Sequence, residues 1–373
     1  MPNAKHFWVE LFPHSDVPPA RQVPMRLVHR QGRPFLLLPQ IPAAAAACLD
    51  LYSAQRPLPR LLRALLRKCF SFGLYPRCPR IPLTLSPDAP LVRFLGRLTS
   101  GNESEAPLFG MLGGNPATEG RRCLLLTLDE AMRPKSVIKT GVGTAARKLI
   151  SRETNFLRRH GGQYPAVPTL RGELDLPAFN AFALDHIPGH SPPPGLCDGI
   201  LPVLSAWIHS DHKARITTLE PWLDLETAWP AGGRDARLES TLAARFVNPV
   251  LYHGDFAPWN IRVAGNQPWQ VLDWERGEPA GPPTWDWYHY LIQTTILVDR
   301  LPLPAIIDRI RSLWASPEFQ AYTTATSTTG LELDLLLGYL HYLIHVLHPA
   351  EGLTPANQIL TALPRAMGSD ITR

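Results

Sequence analysis

The sequence predicts an α+β protein of two lobes, in which a small sheet with one helix precedes a larger helical lobe. A proline-rich, basic N-terminal extension precedes both lobes. Residues 1–100 contain 15 of the 40 prolines, which disfavours long regular helices there. Apolar patterning then runs strand, strand, helix, strand, and the later segments show mostly helical spacing. This order predicts an extension at 1–104, a first lobe at 105–187 and a helical lobe at 188–373.

The elements of the predicted first lobe follow from local patterns. Leu108–Asn115 contains three glycines and is predicted as a turn region. Arg122–Leu128 is a continuous apolar strand candidate, and Ser136–Lys139 is a second one. Ala145–His160 has helical spacing with one apolar face, and Ala181–Ile187 is a short apolar strand.

Charge is distributed unevenly along the chain. Residues 1–100 carry 14 Lys and Arg against 4 Asp and Glu, a net charge of +10, whereas the remaining residues carry 23 against 28. An Arg-rich surface would explain this asymmetry, and so would an anionic partner. We hypothesise that residues 1–100 meet an anionic surface or an anionic substrate such as a lipid-linked glycan. The basic residues match no nucleic-acid motif, so no nucleic-acid partner is predicted.

Leu61–Phe72 is predicted as a basic amphipathic helix inside this extension. Five apolar side chains form one stripe along it: Leu61, Leu62, Leu65, Leu66 and Cys69. Basic residues surround the stripe, and the segment has no acidic residue. Such a helix can lie on an anionic membrane, or it can pack its leucine face on the neighbouring lobe. The second interpretation is the favoured one.

Cysteine usage and hydropathy indicate the compartment. The five cysteines are scattered without a C-x-x-C pair, and no secretory segment is recognised, which predicts reduced thiols. No apolar run reaches the ~18–20 residues of a transmembrane helix. We expect a cytoplasmic protein, either free or peripheral to a membrane.

The segment Leu251–Val263 carries the most informative pattern. Asp255 follows an apolar strand in a tight turn, Asn260 lies five residues later, and a second apolar strand ends at Asp273. Phosphoryl transfer requires a carboxylate that orients the attacking hydroxyl and accepts its proton, and oxygen ligands that hold Mg²⁺ against nucleotide phosphates. An Asp and an Asn at this spacing, beside a hairpin that ends in Asp, supply these groups together.

The motifs at His253–Asn260 and Val271–Glu275 resemble those of the aminoglycoside phosphotransferase and choline kinase superfamily, relatives of the protein kinases. The resemblance covers roughly residues 105–350. It implies a bilobal protein-kinase-like fold and the transfer of the γ-phosphate of ATP or GTP, with Mg²⁺, to a hydroxyl of a small molecule. By this resemblance Asp255 would be the catalytic base, and Asn260 and Asp273 would bind the metal.

Two further residues near the motif receive structural roles from the same resemblance. His253 would support the catalytic loop rather than move protons. Asp286, in the segment Thr284–Trp287, matches the acidic residue that anchors this loop.

The resemblance also implies a lysine on a strand of the first lobe that grips the phosphates, with a carboxylate that orients it. Lys139 ends an apolar strand, and Glu153 follows on the predicted helix 14 residues later. Lys135 is the competing lysine, but it precedes the predicted strand and is assigned to the turn.

Two backbone segments complete the predicted nucleotide site. Gly113 and Gly114 fit the loop that covers the phosphates, since glycines let backbone N–H groups approach closely. Asp185 and Ile187, at the end of a strand, resemble the hinge between the lobes whose backbone contacts the adenine.

The same residues bear on three other functions. A catalytically degenerate scaffold or binding protein is the main alternative, although Lys139, Glu153, Asp255, Asn260 and Asp273 are all retained. A protein kinase is disfavoured because the sequence has Gly254 before Asp255 and lacks Asp-Phe-Gly. An aminoglycoside acceptor is disfavoured because residues 195–246 hold seven acidic and five basic residues, which is too mild an excess for a polycation. A sugar, an amino alcohol or a similar compound remains.

Overall fold

A computed structural model describes residues 8–12, 21–52, 57–99, 107–114, 120–193, 199–230, 234–265, 267–348 and 357–369. The chain forms two compact units, the first made of Met1–Arg158 with Pro168–Ile187 and the second of Arg159–Val167 with Pro188–Arg373. The predicted α+β class is confirmed, with a sheet in the first unit and mainly helices in the second. Asn115 of the predicted glycine turn and Cys197 lie outside the described residues.

Within the described residues of the first unit, eight strands form one antiparallel sheet in the order β3-β1-β2-β4-β5-β6-β8-β7. Their bounds are β1 Arg21–Arg30, β2 Arg33–Pro39, β3 Arg80–Leu85, β4 Phe109–Gly113, β5 Arg121–Leu128, β6 Pro134–Val142, β7 Leu170–Asp175 and β8 Phe179–Asp185. The residues predicted as an extension therefore contribute three strands to the sheet that holds the predicted first lobe.

The prolines in strands β1 and β3 make these strands difficult to recognise from the sequence. Pro24 of β1 lies opposite Pro82 of β3, and the register between β1 and β2 begins one residue later, at Met25. Proline cannot donate to a ladder, and it is tolerated where no ladder bond is required. Prolines of residues 1–100 therefore occur inside strands and at the starts of helices, so their density does not indicate an absence of regular structure.

Helices cover both faces of this sheet. Among its described residues, the first unit contains α1 Pro42–Cys48, α2 Pro57–Ser71, α3 Pro90–Thr99 and α4 Thr144–His160, two more than the one helix predicted for the sheet lobe and the one predicted for the extension. Apolar residues of α3 join Leu125 in one core, and α1 with part of α2 joins Leu126 in another. Because successive strand residues face opposite sides, the continuous apolar run of β5 serves both cores.

The leucine face of α2 does not pack as favoured from the sequence. Leu66, Cys69 and Phe70 contact the core beside α1, whereas Leu61 and Leu65 are exposed. The helix is apolar over more than half of its circumference, so one face can be buried while another apolar face stays outside.

The second unit is built from helices and short two-stranded ladders. Its helices are α5 Ile200–Ser205, α6 Glu220–Ala228, α7 Ala236–Ala243, α8 Trp285–Gln293, α9 Leu303–Ala315, α10 Pro317–Ala325, α11 Glu332–Tyr342 and α12 Asn357–Ser369. The ladders pair β9 Ala214–Arg215 with β10 Phe246–Val247, β11 Val250–Tyr252 with β14 Glu278–Gly281, and β12 Ile261–Arg262 with β13 Gln270–Val271. Helices α8 and α11 continue as π-helices over Thr294–Asp299 and Leu343–Leu347.

The core of the second unit is rich in aromatic residues. Trp207, Trp222, Trp274 and Trp285 are fully buried, and Trp207 contacts Trp274 edge to face. Trp207 also contacts Phe256, and Trp274 contacts His253, so two of these tryptophans pack against the loop after β11. Among the described helices, none combines the length and the apolar character that spanning a bilayer requires.

Candidate active site

The loop after β11 turns sharply at Gly254. This residue has φ of +78°, and a Cβ there would lie 2.8 Å from the Cβ of Arg276. Both the left-handed backbone and the close approach require glycine. The turn places Asp255 three residues after the end of β11.

Asp286 anchors this turn from the first turn of α8. Its carboxylate accepts hydrogen bonds from the backbone N–H of His253 at 2.9 Å and of Gly254 at 3.1 Å. Burial raises the pKa of Asp286 to about 7, and the two N–H donors act in the opposite direction because they favour the carboxylate. With both oxygens engaged by backbone, Asp286 holds the loop in place.

His253 is buried and held as a neutral imidazole. Its Nδ1 lies 3.1 Å from the backbone nitrogen of Asp255 and accepts that N–H, so its proton is on Nε2, which donates to the carbonyl oxygen of Leu272 at 2.9 Å. Burial lowers the pKa of His253 to about 4. Its ring also contacts Trp274, with centroids 4.6 Å apart. Through these hydrogen bonds His253 joins the loop after β11 to the segment after β13, which is a structural role.

The carboxylate of Asp255 is held on both sides. Asn260 donates from Nδ2 to Asp255 Oδ2 at 2.8 Å and to the Asp255 carbonyl oxygen at 2.9 Å. His289 Nε2 lies 2.9 Å from Asp255 Oδ1. The Asp255 side chain keeps 27% of its surface exposed, whereas His289 keeps 3%. The carboxylate is therefore oriented by buried neighbours and still accessible.

His289 and Tyr339 are the residues of this site that the sequence analysis missed. The Tyr339 hydroxyl lies 3.1 Å from His289 Nδ1, which leaves Nε2–H to donate to Asp255. His289 lies on α8 and Tyr339 on α11, and both side chains are buried. The available signal was the position of His289 three residues after Asp286, on the same face of α8.

The hairpin of β12 and β13 brings the two predicted metal ligands together. Ile261 lies opposite Val271, and the backbone N–H of Leu272 donates to the carbonyl oxygen of Asn260 at 2.7 Å. Asp273 follows with φ of +70°, a left-handed conformation that Asp tolerates better than most residues. Because Asn260 uses its amide nitrogen on Asp255, its Oδ1 remains as an acceptor atom. A carboxylate and an amide oxygen form a donor set that fits Mg²⁺.

The first unit contains the predicted lysine and carboxylate as an ion pair. Lys139 Nζ lies 2.5 Å from Glu153 Oε2, and the Glu153 side chain is 2% exposed. Lys135 was assigned to the turn, but β6 begins at Pro134 and includes it. Its Nζ donates to the carbonyl oxygen of Thr99, so its contact differs from that of Lys139.

The predicted glycine turn is wrong over Phe109–Gly113, which form strand β4. The backbone of β4 pairs with β2 on one side and β5 on the other, which keeps it extended up to Gly113. The backbone N–H of Gly114 then donates to the carbonyl oxygen of Arg122 at 2.7 Å. A Cβ on Gly114 would lie 2.2 Å from that oxygen, so the position requires glycine.

The predicted hinge residues lie at the end of β8. Asp185 is the last residue of the strand, and its exposed carboxylate pairs with Arg171. The backbone N–H of His186 donates to the carbonyl oxygen of Lys135 at 2.8 Å. Ile187 is the last residue of the first unit. A role for Asp185 and Ile187 in adenine binding stays a prediction.

No family model matches the sequence, and no curated protein matches it significantly. Several solved structures are similar to the chain. The kinase–methyltransferase WbdD is 15% identical with a TM-score of 0.30, over 65% of this chain and 47% of WbdD, so the match spans about half of that protein.

Two other solved structures are matched over most of their length. A thermostable mutant of an aminoglycoside phosphotransferase, in complex with ADP and hygromycin B, is 13% identical with a TM-score of 0.41, over 70% of this chain and 93% of its own. An ethanolamine kinase of Plasmodium vivax is 11% identical with a TM-score of 0.40, over 69% and 81%.

Proposed function

We propose that the protein transfers the γ-phosphate of ATP to a hydroxyl group of a small molecule, with Asp255 as the catalytic base. The observation that carries this proposal is the carboxylate of Asp255, oriented by Asn260 and His289 and still partly exposed. A general base must be held in one orientation and remain within reach of the proton that it accepts.

The two titratable groups beside Asp255, those of His253 and Asp286, are already engaged in hydrogen bonds, which supports Asp255 as the base. Both ring nitrogens of His253 are engaged, and its lowered pKa keeps it neutral. Both carboxylate oxygens of Asp286 accept backbone N–H groups. In the proposed step the acceptor oxygen attacks the γ-phosphorus of ATP, and the hydroxyl proton passes to Asp255. The bond between the γ-phosphorus and the oxygen that bridges it to the β-phosphate breaks, and ADP leaves with that oxygen.

Asn260 and Asp273 would hold Mg²⁺ through Oδ1 and a carboxylate oxygen. When bound, the ion would neutralise charge on the nucleotide phosphates. Lys139 would contact the phosphates, with Glu153 orienting its ammonium group. The position of Lys139 supports this proposal. Lys139 lies on β6, the third strand when β4 is counted as the first, and the next element is α4, which carries Glu153.

The acceptor is proposed as a hydroxyl compound that carries at most one positive charge, such as a sugar or an amino alcohol. A lipid-linked glycan is one such compound. The mild charge balance of residues 195–246 supports this class over a polycation. The nucleotide preference is proposed as ATP, with GTP as the alternative donor.

A thermal-shift titration with ATP and with GTP, each with and without Mg²⁺, tests the nucleotide site. Ligand at ~100 times its Kd stabilises a protein by roughly 2.7 kcal/mol, which raises Tm by a few degrees. We expect a shift with ATP that requires Mg²⁺ and is lost in Asp273→Ala. The absence of a shift with both nucleotides would instead support the catalytically degenerate scaffold.

A further inference from the structure

Helix α2 exposes a row of large apolar side chains. Leu61 and Leu65 keep 67% and 58% of their surface exposed, Leu58 and Leu62 are also exposed, and Phe72, the residue directly after the helix, keeps 77%. In helical projection these five side chains lie within about 100° of one another, so they form one stripe. We call these five residues the leucine stripe. Large side chains grouped in this way are uncommon on a free surface and mark a binding surface.

The side of α2 next to the leucine stripe fixes the helix to the first unit. Phe70 is fully buried, and Leu66 and Cys69 pack against the core that includes α1. Arg63 donates to the carbonyl oxygen of Tyr52 at 2.9 Å. The leucine stripe is therefore presented outward by a helix whose adjacent face is anchored, and its exposure does not depend on unfolding of the helix.

The charges beside the leucine stripe are all positive. Residues 57–80 contain six Lys and Arg and no Asp or Glu. In helical projection Lys68 lies at the edge of the stripe, Arg60 lies about 100° beyond that edge, and Arg67 lies on the side away from the stripe. Arg67 pairs with Asp50, and the segment as a whole remains strongly basic. An apolar stripe with a basic flank complements a surface that is apolar below and anionic above.

We propose that α2 binds the surface of an anionic phospholipid membrane. The leucine stripe would enter the boundary between head groups and acyl chains, and Arg60 and Lys68 would contact the phosphates of the head groups. This arrangement is typical of helices that lie in the plane of an interface, because apolar burial and attraction to anionic lipid add together. The proposal concerns the first unit alone and does not depend on phosphoryl transfer.

Co-sedimentation of the full-length protein with vesicles tests the proposal without nucleotide. The vesicles contain phosphatidylcholine alone, or phosphatidylcholine and phosphatidylglycerol in equal parts. We expect binding to the anionic vesicles and little binding to the neutral ones. The double variant Leu61→Gln/Leu65→Gln should bind the anionic vesicles on the order of tenfold more weakly. Because both side chains are exposed, the variant should keep the Tm of the wild type.

Matched controls separate the two contributions to binding. Leu223→Gln replaces an exposed leucine of α6 in the second unit and should leave vesicle binding unchanged. Arg60→Gln/Lys68→Gln should weaken binding to anionic vesicles and reduce its dependence on salt.

Three results would overturn the proposal. The first is wild-type protein that binds neither vesicle. The second is full binding of anionic vesicles by Leu61→Gln/Leu65→Gln, because the attraction would then come from charge alone. The third is a wild-type dimer in light scattering that Leu61→Gln/Leu65→Gln converts to a monomer, with no vesicle binding, since the leucine stripe would then join two copies of the chain.

Discussion

At the residue scale, the chemistry proposed for this protein depends on hydrogen bonds among four side chains, which orient the carboxylate of Asp255. Asp255 receives one bond on each carboxylate oxygen, from Asn260 and from His289. His289 in turn faces the hydroxyl of Tyr339. This chain of contacts orients the carboxylate before any substrate arrives, which is the condition under which a general base is effective.

His289 is expected to act as a positioning residue for Asp255. Replacing it in His289→Ala should lower kcat by on the order of 10–100-fold, because the carboxylate loses one of its two orienting contacts. The KM for nucleotide should change little. His289→Gln, which can still donate to Asp255, should recover part of kcat. Steady-state kinetics of ADP formation measure both constants.

His341→Gln is the matched control for this prediction, since His341 also lies on a helix of the second unit but stacks on Trp229. It should keep wild-type kcat. An equal loss of kcat in His289→Ala and His341→Gln would indicate general damage to the helical unit rather than a role for His289 in positioning Asp255.

His253 gives a prediction about pH. Its pKa is lowered from 6.5 to about 4 by burial, so the unfolded chain binds more protons between these values and stability falls as pH drops from 6.5 towards 4. The shift corresponds to at most about 3 kcal/mol. The stability difference between wild type and His253→Gln should therefore shrink from pH 7 to pH 4.5, as measured by urea unfolding.

The raised pKa of Asp286 acts in the opposite direction, because stability from this group falls as pH rises from about 4 to about 7. Asp286 is present in both proteins, so its contribution largely cancels in the difference. A difference that stays constant from pH 7 to pH 4.5 would mean that His253 is not held neutral.

At the element scale, short ladders and helix starts bring distant sequence positions together. The β12–β13 hairpin places Asn260 next to the residue before Asp273, and α8 brings Asp286 to the loop after β11. In the first unit, β6 and α4 are joined by Lys139 and Glu153. Each of these contacts joins elements within one unit.

The Lys139–Glu153 pair predicts the effect of removing one buried partner. Lys139→Met should destabilise the protein by about 3 kcal/mol, because Glu153 would remain buried without its cation. Lys139→Met/Glu153→Leu should recover most of this loss, since both charges are then absent. Urea unfolding of the three proteins measures the difference.

Lys135→Met on the same strand serves as the control, because Lys135 is exposed and contacts a backbone carbonyl. It should change stability by less than about 0.5 kcal/mol. If the double variant were as unstable as Lys139→Met, the loss would come from packing of β6 on α4 rather than from an unpaired carboxylate.

Sequence patterns predicted those elements in which one hydrophobic pattern, that of a strand or that of a helix, dominates. The apolar runs of β5 and β6 and the spacing of α4 were recognised, and their observed bounds differ from the predicted ones by a few residues. Strands β1–β3 were missed because their prolines are tolerated only through the particular register seen in the sheet. His289 and Tyr339 were missed because a contact between two helices leaves no local pattern.

At the scale of the whole molecule, the basic N-terminal residues are part of the first unit rather than an appendage. Strand β2 pairs with β4, and Phe94 of α3 shares a core with Met111 and Leu125. The sequence showed the charge of this region, but the sheet that it completes depends on pairing across some 70 residues, which composition does not reveal.

Removal of residues 1–100 should therefore prevent stable folding of the first unit. The deletion would expose the edge of β4 and one side of two cores. We expect a truncated protein that aggregates or lacks cooperative thermal unfolding. A truncated protein with the Tm of the full-length chain would contradict the role assigned here to β1–β3.

The central claim is that Asp255 is the base of a phosphotransferase. The most direct test is ADP formation from ATP and Mg²⁺ with a panel of sugars and amino alcohols, comparing wild type with Asp255→Asn. We predict that turnover of the best acceptor falls by roughly 10²–10⁴-fold while the Kd for ATP stays within a few-fold of the wild type. Wild-type turnover in Asp255→Asn, with nucleotide binding intact, would contradict the claim.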